Sequence, residues 1–408
     1  MDNLNQRQKI ELSDIFLRYK EEYLEQNKLC PTQQKAFTDI LSCRTSTLGG
    51  HIDKCEKCGY EKPAYNSCRN RHCPKCQYTR QIQWVDKLKS NLLPKRHFHI
   101  VFTIPGCLHK LFYINQKQAY SLLFKASNQA LKVCASNPKY LGAQTGAVSV
   151  LHTWGQTLTY HPHIHMIVPA GGLSEDGMEW INTSKKFFLP VKVLSALFRG
   201  ILSRLLEESI CKEEIKLPED IESYEYLKKQ IYAKKWVVYA KSPFASPQRV
   251  IEYLGNYTHR VAISNHRIIS VKNHKVTFRY KNYRTGNMSG IISLDVMEFI
   301  KRFMQHILPS GFCKIRYFGI LSQRNLKSRL QDCFSLFDTE TYLPAFEGLS
   351  AFEIFKSLTG MSSFCCPKVS LRQTTPSKFR AGVRGGGWPG NWELAQEPFS
   401  ARRRVLHC

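Results

Sequence analysis

Residues 152–172 read HTWGQTLTYHPHIHMIVPAGG, an apolar stretch in which His161, His163 and His165 recur at every second position. Alternate residues of a β-strand point to the same face. A strand here therefore places His163 and His165 side by side, with Ile164 on the opposite face. Two neutral imidazoles on one face form half of a metal site. A histidine-rich strand that binds no metal is the simpler interpretation, and the rest of the chain has to distinguish the two.

The composition indicates a protein with hydrophobic cores and a polyanionic partner. The 408 residues are enough for two or three domains with hydrophobic cores. Lys and Arg number 59 against 32 Asp and Glu, a formal net charge of +27, which indicates binding to nucleic acid or to an anionic membrane surface. The sequence has no apolar run of transmembrane length and no apolar signal core at its N-terminus. We therefore expect a cytoplasmic protein, in which the 15 cysteines stay reduced.

Hydrophobic periodicity predicts a mixture of helices and strands. The predicted helices cover residues 8–28, 32–43, 80–92, 116–134, 192–210, 247–261 and 293–308. The predicted strands cover residues 97–105, 146–154, 162–168, 236–240 and 274–283. The periodicity is lost after residue 363, where a GGG run and an RRR run follow. This composition predicts a disordered basic tail or an aberrant ending unrelated to the preceding domains.

Cysteines are concentrated in residues 55–76, CEKCGYEKPAYNSCRNRHCPKC. Two C-x2-C pairs at this spacing indicate a tetrahedral zinc site to which each pair supplies two thiolates. The predicted ligands are the four cysteines of these pairs: Cys55, Cys58, Cys73 and Cys76. Cys68 and His72 lie between the pairs and are alternative ligands. Four protein ligands leave no open position on the metal, so this zinc is expected to be structural.

The segment that follows the cysteines is strongly basic. Between Cys68 and Lys110 there are nine Lys and Arg residues and one acidic residue, Asp86, with Tyr78 and Trp84 among them. Cations bind phosphates and aromatic rings stack on bases, so this segment is expected to contact nucleic acid. A solvated basic face over core aromatics is the alternative.

A tyrosine pair gives the histidine strand a chemical context. Residues 253–260 read YLGNYTHR, and Tyr253 and Tyr257 are four residues apart on one face of the predicted helix. Alone, such a pair usually indicates packing. A tyrosine hydroxyl is a poor nucleophile because its pKa is near 10, but a metal that polarises a phosphate makes its attack feasible. The pair and the histidines together predict a covalent phosphotyrosine and a released 3′-hydroxyl.

These motifs together resemble a known family. The His-hydrophobe-His element at 163–165, with the tyrosine pair, resembles the two-tyrosine HUH endonucleases. With the cysteine block and the segments HFHIVFTIP, LHTWGQ and YLGNYTHRVAISN, residues 10–363 resemble the rolling-circle insertion-sequence transposases. The resemblance implies an α+β fold, with an HUH-type antiparallel sheet flanked by helices and preceded by a small helical, zinc-binding module. It also implies cleavage of single-stranded DNA at transposon ends through 5′-phosphotyrosine intermediates.

The resemblance assigns roles to individual residues. His163 and His165 correspond to ligands of a catalytic Mg²⁺ or Mn²⁺, and Tyr253 and Tyr257 correspond to the nucleophiles. For the third ligand we expect His152, because imidazole is the stronger donor and the block HTWG resembles the family. Gln156 is the alternative third ligand.

The predicted organisation has four parts. These are residues 1–95, N-terminal helices and zinc-binding DNA-binding module; 96–285, HUH catalytic domain; 286–363, helical DNA-contacting region; and 364–408, the tail. The expected partners are single-stranded DNA, transposon ends and host helicase or replication proteins, since the chain lacks a GxxxxGK[ST] loop. We expect a nucleoid-associated location in the bacterial cytoplasm. The alternative functions are a non-catalytic zinc-finger DNA-binding protein and a zinc hydrolase that uses the three histidines.

Overall fold

The computed structural model describes residues 10–55, 58–183, 189–244, 249–250, 255, 262–282, 288–339, 342–360 and 374–379. The fold class is α+β, as the sequence predicts. None of the helices in these ranges is long and apolar enough to cross a membrane.

A five-stranded antiparallel sheet forms the centre of the protein. Its strands are β3 (His97–Thr103), β4 (Gly146–Trp154), β5 (Tyr160–Pro169), β8 (Val237–Phe244) and β12 (Ile315–Gly319). Their order across the sheet is β12-β4-β5-β3-β8, so the strand that carries the histidine motif is the middle one. The period-two alternation of the sequence sends the two sets of side chains of β5 to opposite faces.

The first face of the sheet is apolar, and helices cover it. Phe98, Ile100 and Phe102 of β3 and Ile164 and Met166 of β5 lie in this core. The covering helices are α4 (His109–Ile114), α5 (Gln116–Ser136), α6 (Val191–Cys211) and α7 (Tyr224–Ala233).

The second face carries the histidines and a smaller apolar core. Val148 and Val150 of β4 and Ile167 of β5 pack there against Leu88, which lies on α3 (Tyr78–Lys89). Val250 joins the same core and is helical. The helix α9 (Arg329–Leu336) covers the rest of this core. Two different surroundings therefore flank the sheet, and the histidines occupy the less completely covered face.

The N-terminal elements share a core with a second sheet far along the chain. These elements are α1 (Leu12–Gln26) and α2 (Pro31–Ser42), and the hairpin of β1 (Gly50–Cys55) and β2 (Glu61–Tyr65) follows them in the chain. The second sheet contains β9 (Ile268–Lys272), β10 (Lys275–Asn282) and β11 (Met288–Asp295), and α8 (Val296–Met304) follows it. Phe16 and Phe37 stack at 4.5 Å, and Phe303 meets Phe16 edge-on at 5.6 Å. The predicted boundary at residue 95 remains a prediction.

Two sequence expectations differ from the structure. The helix predicted over 293–308 begins at Val296, because Asp295 caps it by accepting hydrogen bonds from the amides of Met297 and Glu298, and β11 occupies the preceding residues. Within the predicted tail, Thr374–Phe379 forms β13, which pairs antiparallel with β1. The expectation of disorder is therefore wrong for these six residues, and the remainder of 364–408 lies outside the described residues.

The remaining elements are peripheral. They are the two-stranded sheet of β6 (Gly171–Leu173) and β7 (Trp180–Asn182), and the helix α10 (Ala351–Thr359). Asp86 of α3 ties the segment before α10 to the protein by accepting from the Tyr342 hydroxyl at 2.6 Å and the Phe346 amide at 2.8 Å. The single acidic residue of the basic segment is thus an internal anchor.

Candidate active site

Three histidines meet on the second face of the central sheet. His152 of β4 lies opposite His163 of β5 in the antiparallel register, and His165 is two residues further along β5. One ring nitrogen of each residue lies within 4.8 Å of the other two. His152 and His165 are buried and His163 is half-buried. Three imidazoles from two adjacent strands thus converge on one point, a geometry suited to a metal ion.

Hydrogen bonds orient the two histidines of β5. The Nδ1 of His163 donates to the carbonyl oxygen of His161 at 2.6 Å. The Nδ1 of His165 lies 2.8 Å from the Nε2 of His99, on the neighbouring strand β3. As a result the Nε2 atoms of His163 and His165 face each other at 3.0 Å. A metal-binding histidine commonly has its second nitrogen held in this way.

Burial keeps His163 in the form that binds metals. Desolvation lowers the pKa of the His163 imidazole from 6.5 to about 4. The ring is therefore neutral at pH 7, and its Nε2 lone pair is available because Nδ1 carries the proton.

The two candidates for the third ligand have different surroundings. His152 belongs to the cluster. Gln156 lies beyond the end of β4, where its side-chain oxygen accepts from the amide of Lys281 at 3.4 Å and its carbonyl oxygen accepts from Arg267 at 2.6 Å. These two hydrogen bonds hold Gln156 against the second sheet.

Tyr253 and Tyr257 lie outside the described residues. The residues around them that are described, Val250 and Gly255, are both helical and buried. A Cβ atom added at Gly255 would lie 2.9 Å from Cγ2 of Val85, on α3. The backbone at Gly255 therefore lies directly against α3, which covers the histidine face.

Four cysteine thiols form a second cluster, at the junction of α2 with the loop before α3. They are Cys43, Cys68, Cys73 and Cys76, and all four sulfur atoms lie within 4.8 Å of one another. The Sγ of Cys76 is 3.3 Å from that of Cys43 and 3.6 Å from that of Cys68. Tetrahedral zinc with bonds of about 2.3 Å holds sulfurs about 3.8 Å apart, so this spacing fits zinc.

The thiols of this cluster share protons. A hydrogen bond with Cys68 lowers the pKa of Cys43 to about 7. A hydrogen bond with Cys43 lowers the pKa of Cys76 below its usual range. Hydrogen bonds with Cys43 raise the pKa of Cys68 and of Cys73, so Cys43 and Cys76 are the thiols that ionise most easily in this cluster.

The structure brings Cys68, Cys73 and Cys76 together but places Cys55 and Cys58 elsewhere. Cys55 ends β1, and the amide of Gly59 donates to its carbonyl oxygen at the turn between β1 and β2. Cys43 from the end of α2 occupies the fourth position of the cluster instead.

His72 also lies outside the cluster. Its Nε2 accepts from the amide of Leu308 at 3.0 Å, so the lone pair that would bind zinc is already used. Burial lowers the pKa of His72 to about 3, which keeps the ring neutral as this hydrogen bond requires.

Comparison with known proteins gives the family. The "Putative transposase" family model Y2_Tnp matches residues 146–329, which include β4, β5 and the second sheet. The "Transposase zinc-binding domain" model Zn_Tnp_IS91 matches residues 15–104, which include the four-thiol cluster. The chain is 40% identical over 396 residues to "Putative transposase y4qJ" of Sinorhizobium fredii (strain NBRC 101917 / NGR234), covering 94% of this chain and 98% of the relative. This chain belongs to the insertion-sequence transposases.

A second relative is more distant. The transposase is 29% identical over 317 residues to "Transposase for insertion sequence element IS801" of Pseudomonas savastanoi pv. phaseolicola, covering 74% of this chain and 73% of the relative. No solved structure matches the chain significantly. As a transposase, the protein is a DNA strand-transfer enzyme with a zinc-binding domain.

Two residues of the transposase's sites are not predicted by the sequence. Cys43 stands alone in LSCRTS, without the C-x2-C spacing that reveals the other thiols. His99 lies in HFHIVFTIP, where His97 and His99 share the alternation seen in HPHIH. That shared alternation is a signal for a second histidine strand, whereas nothing near Cys43 reveals its role.

Proposed function

We propose that the transposase nicks single-stranded DNA at the ends of an insertion sequence and transfers strands through 5′-phosphotyrosine intermediates, in rolling-circle transposition. One observation carries the proposal. Three imidazoles from adjacent antiparallel strands converge on the sheet face that α3 covers, and the backbone at Gly255 lies against α3. Tyr253 and Tyr257 each lie two residues from Gly255 in sequence.

The histidine cluster has a donor set that fits a divalent ion of the first transition series. His152, His163 and His165 would hold the ion, and His163 is neutral at pH 7 because of its low pKa. Imidazole is a common ligand of transition-series ions, whereas Mg²⁺ prefers oxygen ligands and keeps its waters. Of the two ions that the family resemblance implies, this donor set favours Mn²⁺. A bound divalent ion polarises a phosphate oxygen and neutralises the charge that develops on it.

The protein's own part in the reaction is nucleophilic attack and positioning. The hydroxyl oxygen of Tyr253 or Tyr257 forms a bond to the scissile phosphorus, and the bond from phosphorus to the 3′-oxygen breaks. The proton that the tyrosine hydroxyl loses is balanced by the proton that the leaving 3′-oxygen gains, so the DNA on one side of the nick has a free 3′-hydroxyl. The 5′-phosphate of the DNA on the other side stays on the protein. Phosphoryl transfer of this kind conserves the phosphodiester bond energy and needs positioning and charge stabilisation. Two tyrosines permit one strand to be cut while another is held.

The four-thiol cluster has a structural role in this proposal. Cys43, Cys68, Cys73 and Cys76 use all four positions of a tetrahedral zinc ion and leave no open position. The cluster ties the end of α2 to the loop that leads into α3, and α3 covers the histidine face. Zinc bound there would therefore fix α3, against which the backbone at Gly255 lies. Strand separation and replication would come from host proteins in the bacterial cytoplasm.

The test is a covalent-adduct assay. Purified protein is incubated with single-stranded oligonucleotides that carry an insertion-sequence end and with Mn²⁺, and the products are resolved on a denaturing gel. The wild type should give a protein–DNA adduct, which Tyr253→Phe with Tyr257→Phe abolishes while DNA binding persists. An adduct from the double variant would refute the assignment of the nucleophiles. Tight DNA binding by the wild type without any adduct would favour the non-catalytic zinc-finger protein.

A further inference from the structure

A cleft of about 490 Å³ opens beside the histidine cluster, between α3, the end of β4 and the second sheet. We propose that this cleft binds the single-stranded DNA that flanks the scissile phosphate. The part of this inference that concerns the scissile phosphate rests on the proposed function. The binding of single-stranded DNA is argued from the chemistry of the cleft itself.

The position of the cleft links it to both parts of the candidate active site. Trp154 forms one wall, and its ring stacks on the ring of His152 at 4.8 Å and 16°. Gln81 of α3 also lines the cleft, and its Nε2 would lie 3.7 Å from a Cβ atom at Gly255. The lining of the cleft therefore includes one residue that contacts His152 and one that lies close to Gly255.

The charge of the cleft suits a phosphate backbone. Arg267, Arg279 and Lys281 line it, and no Asp or Glu is among the described residues of its lining. Arg279 and Lys281 are exposed, and no carboxylate in the described part of the chain lies within 4 Å of either. They are two residues apart on β10, so they emerge about 6.8 Å apart on the same face.

Arg267 differs from Arg279 and Lys281 because its side chain holds together two elements that line the cleft. Its guanidinium donates to the carbonyl oxygens of Arg279 at 2.8 Å and Gln156 at 2.6 Å. It also lies 5.6 Å from the centre of the Phe278 ring. The phosphate contacts are therefore assigned to Arg279 and Lys281, and Arg267 holds β10 against the turn that follows β4.

Aromatic rings complete the cleft. Tyr78, at the start of α3, is 70% exposed, and Trp154 and Tyr280 are half-buried. Bases stack on such rings without regard to sequence, and cations beside them hold the backbone. Cavities of about 300–1,000 Å³ hold a drug-sized molecule, so the cleft admits about one or two nucleotides. In a B-form duplex the bases are paired and stacked inside the helix, so they do not offer their faces to these rings.

The test measures binding in a buffer that contains no chelator and no added Mg²⁺ or Mn²⁺, so that strand cleavage does not interfere and the zinc of the four-thiol cluster is kept. A fluorescent oligo(dT) is titrated at several KCl concentrations with the wild type, with Arg279→Gln plus Lys281→Gln, and with Tyr78→Ala. The matched controls are Lys125→Gln plus Lys229→Gln and Tyr226→Ala, which change exposed residues on the helices of the first face. Circular dichroism before each titration compares the folding of the variants.

The two kinds of variant should behave differently. Losing two phosphate contacts should reduce the slope of log K against log salt by about 1.4, because each contact contributes about 0.7 on single strands. Losing one stacking ring should weaken binding about 5- to 150-fold and leave that slope unchanged. The controls should match the wild type. Binding to a duplex of the same length should change far less than binding to oligo(dT).

An unchanged slope in the Arg279→Gln, Lys281→Gln variant would overturn the proposal, and so would an equal change in the lysine control. Equal losses for duplex and single strand would overturn the assignment to single strands. The adduct assay separates this inference from the proposed function. If the wild type forms adducts but the cleft variants bind DNA normally, the cleft assignment fails alone. If the cleft variants lose binding but the wild type forms no adduct with Mn²⁺, the proposed function fails and the binding site stands.

Discussion

His99 is expected to position His165 through the hydrogen bond between its Nε2 and the Nδ1 of His165. The two nitrogens are 2.8 Å apart, His99 is 1% exposed, and the two rings are nearly parallel with centres 5.0 Å apart. For the Nε2 of His165 to bind an ion, its Nδ1 must carry the proton and donate it to His99. Replacing His99 with Phe keeps a ring in the site and removes the acceptor.

The expected cost has two parts. Removing a partner that orients a metal ligand typically lowers metal affinity about 10- to 100-fold, or about 1.4–2.8 kcal/mol. Leaving the buried Nδ1 of His165 without this acceptor costs about 1–3 kcal/mol of folding free energy. His99→Gln should recover much of both, because its side-chain oxygen reaches a position near that of the lost Nε2.

The measurement is Mn²⁺ titration followed by electron paramagnetic resonance, with urea unfolding of the same samples. The control is His163→Ala with His165→Ala, which should lose specific Mn²⁺ binding altogether. If His99→Phe binds Mn²⁺ as tightly as the wild type while this control loses binding, the positioning role of His99 is refuted. If the wild type itself binds no Mn²⁺, the metal assignment of the cluster fails.

Three further predictions concern the four-thiol cluster, the pH dependence of stability and the packing at Gly255. Cys43→Ser should lower the zinc content and thermal stability of the purified protein, whereas Cys58→Ser should keep the zinc of the four-thiol cluster, as measured by zinc release to a chromogenic chelator. Burial lowers the pKa of His306 from 6.5 to about 4, so the folded state takes up fewer protons and loses stability as the pH falls through this range. Between pH 7 and pH 5 His306 should therefore lower the free energy of unfolding by about 2 kcal/mol. Urea unfolding at the two pH values should show that this part of the decrease is missing in His306→Gln. Gly255→Ala should lower the free energy of unfolding by about 1–3 kcal/mol, because the new Cβ atom would overpack against Val85. It should reduce adduct formation without altering Mn²⁺ binding. An unchanged adduct yield would contradict the predicted packing.

The central sheet could be predicted from the sequence because its strands alternate. HFHIVFTIP and HPHIHMIV have a period of two, and β3 and β5 form there with their two faces as expected. β11 was harder to predict because its apolar positions, Ile292 and Leu294, run directly into the amphipathic pattern of α8. The boundary depends on the side chain of Asp295 capping that helix.

The candidate site could be predicted where its residues are close in sequence. His163 and His165 are two residues apart, and the antiparallel turn brings His152 opposite them. Cys43 and His99 come from distant segments, 33 residues from Cys76 and 66 from His165. Their roles depend on how α2 meets the cysteine loop and on which strand neighbours β5. The spacing of residues along the sequence contains no information about these two tertiary contacts. For the zinc ligands, that spacing favoured Cys55 and Cys58, which lie at the β1–β2 turn.

The most direct test of the account is to find the phosphate on the protein. A 5′-phosphotyrosine adduct formed with Mn²⁺ and a single-stranded insertion-sequence end is digested with nuclease and protease, and the peptides are analysed by mass spectrometry. The account predicts a nucleotide on Tyr253 or Tyr257, and none in a sample of the His163→Ala, His165→Ala variant. A nucleotide attached through a 3′-phosphate, or attached to any other residue, would contradict it.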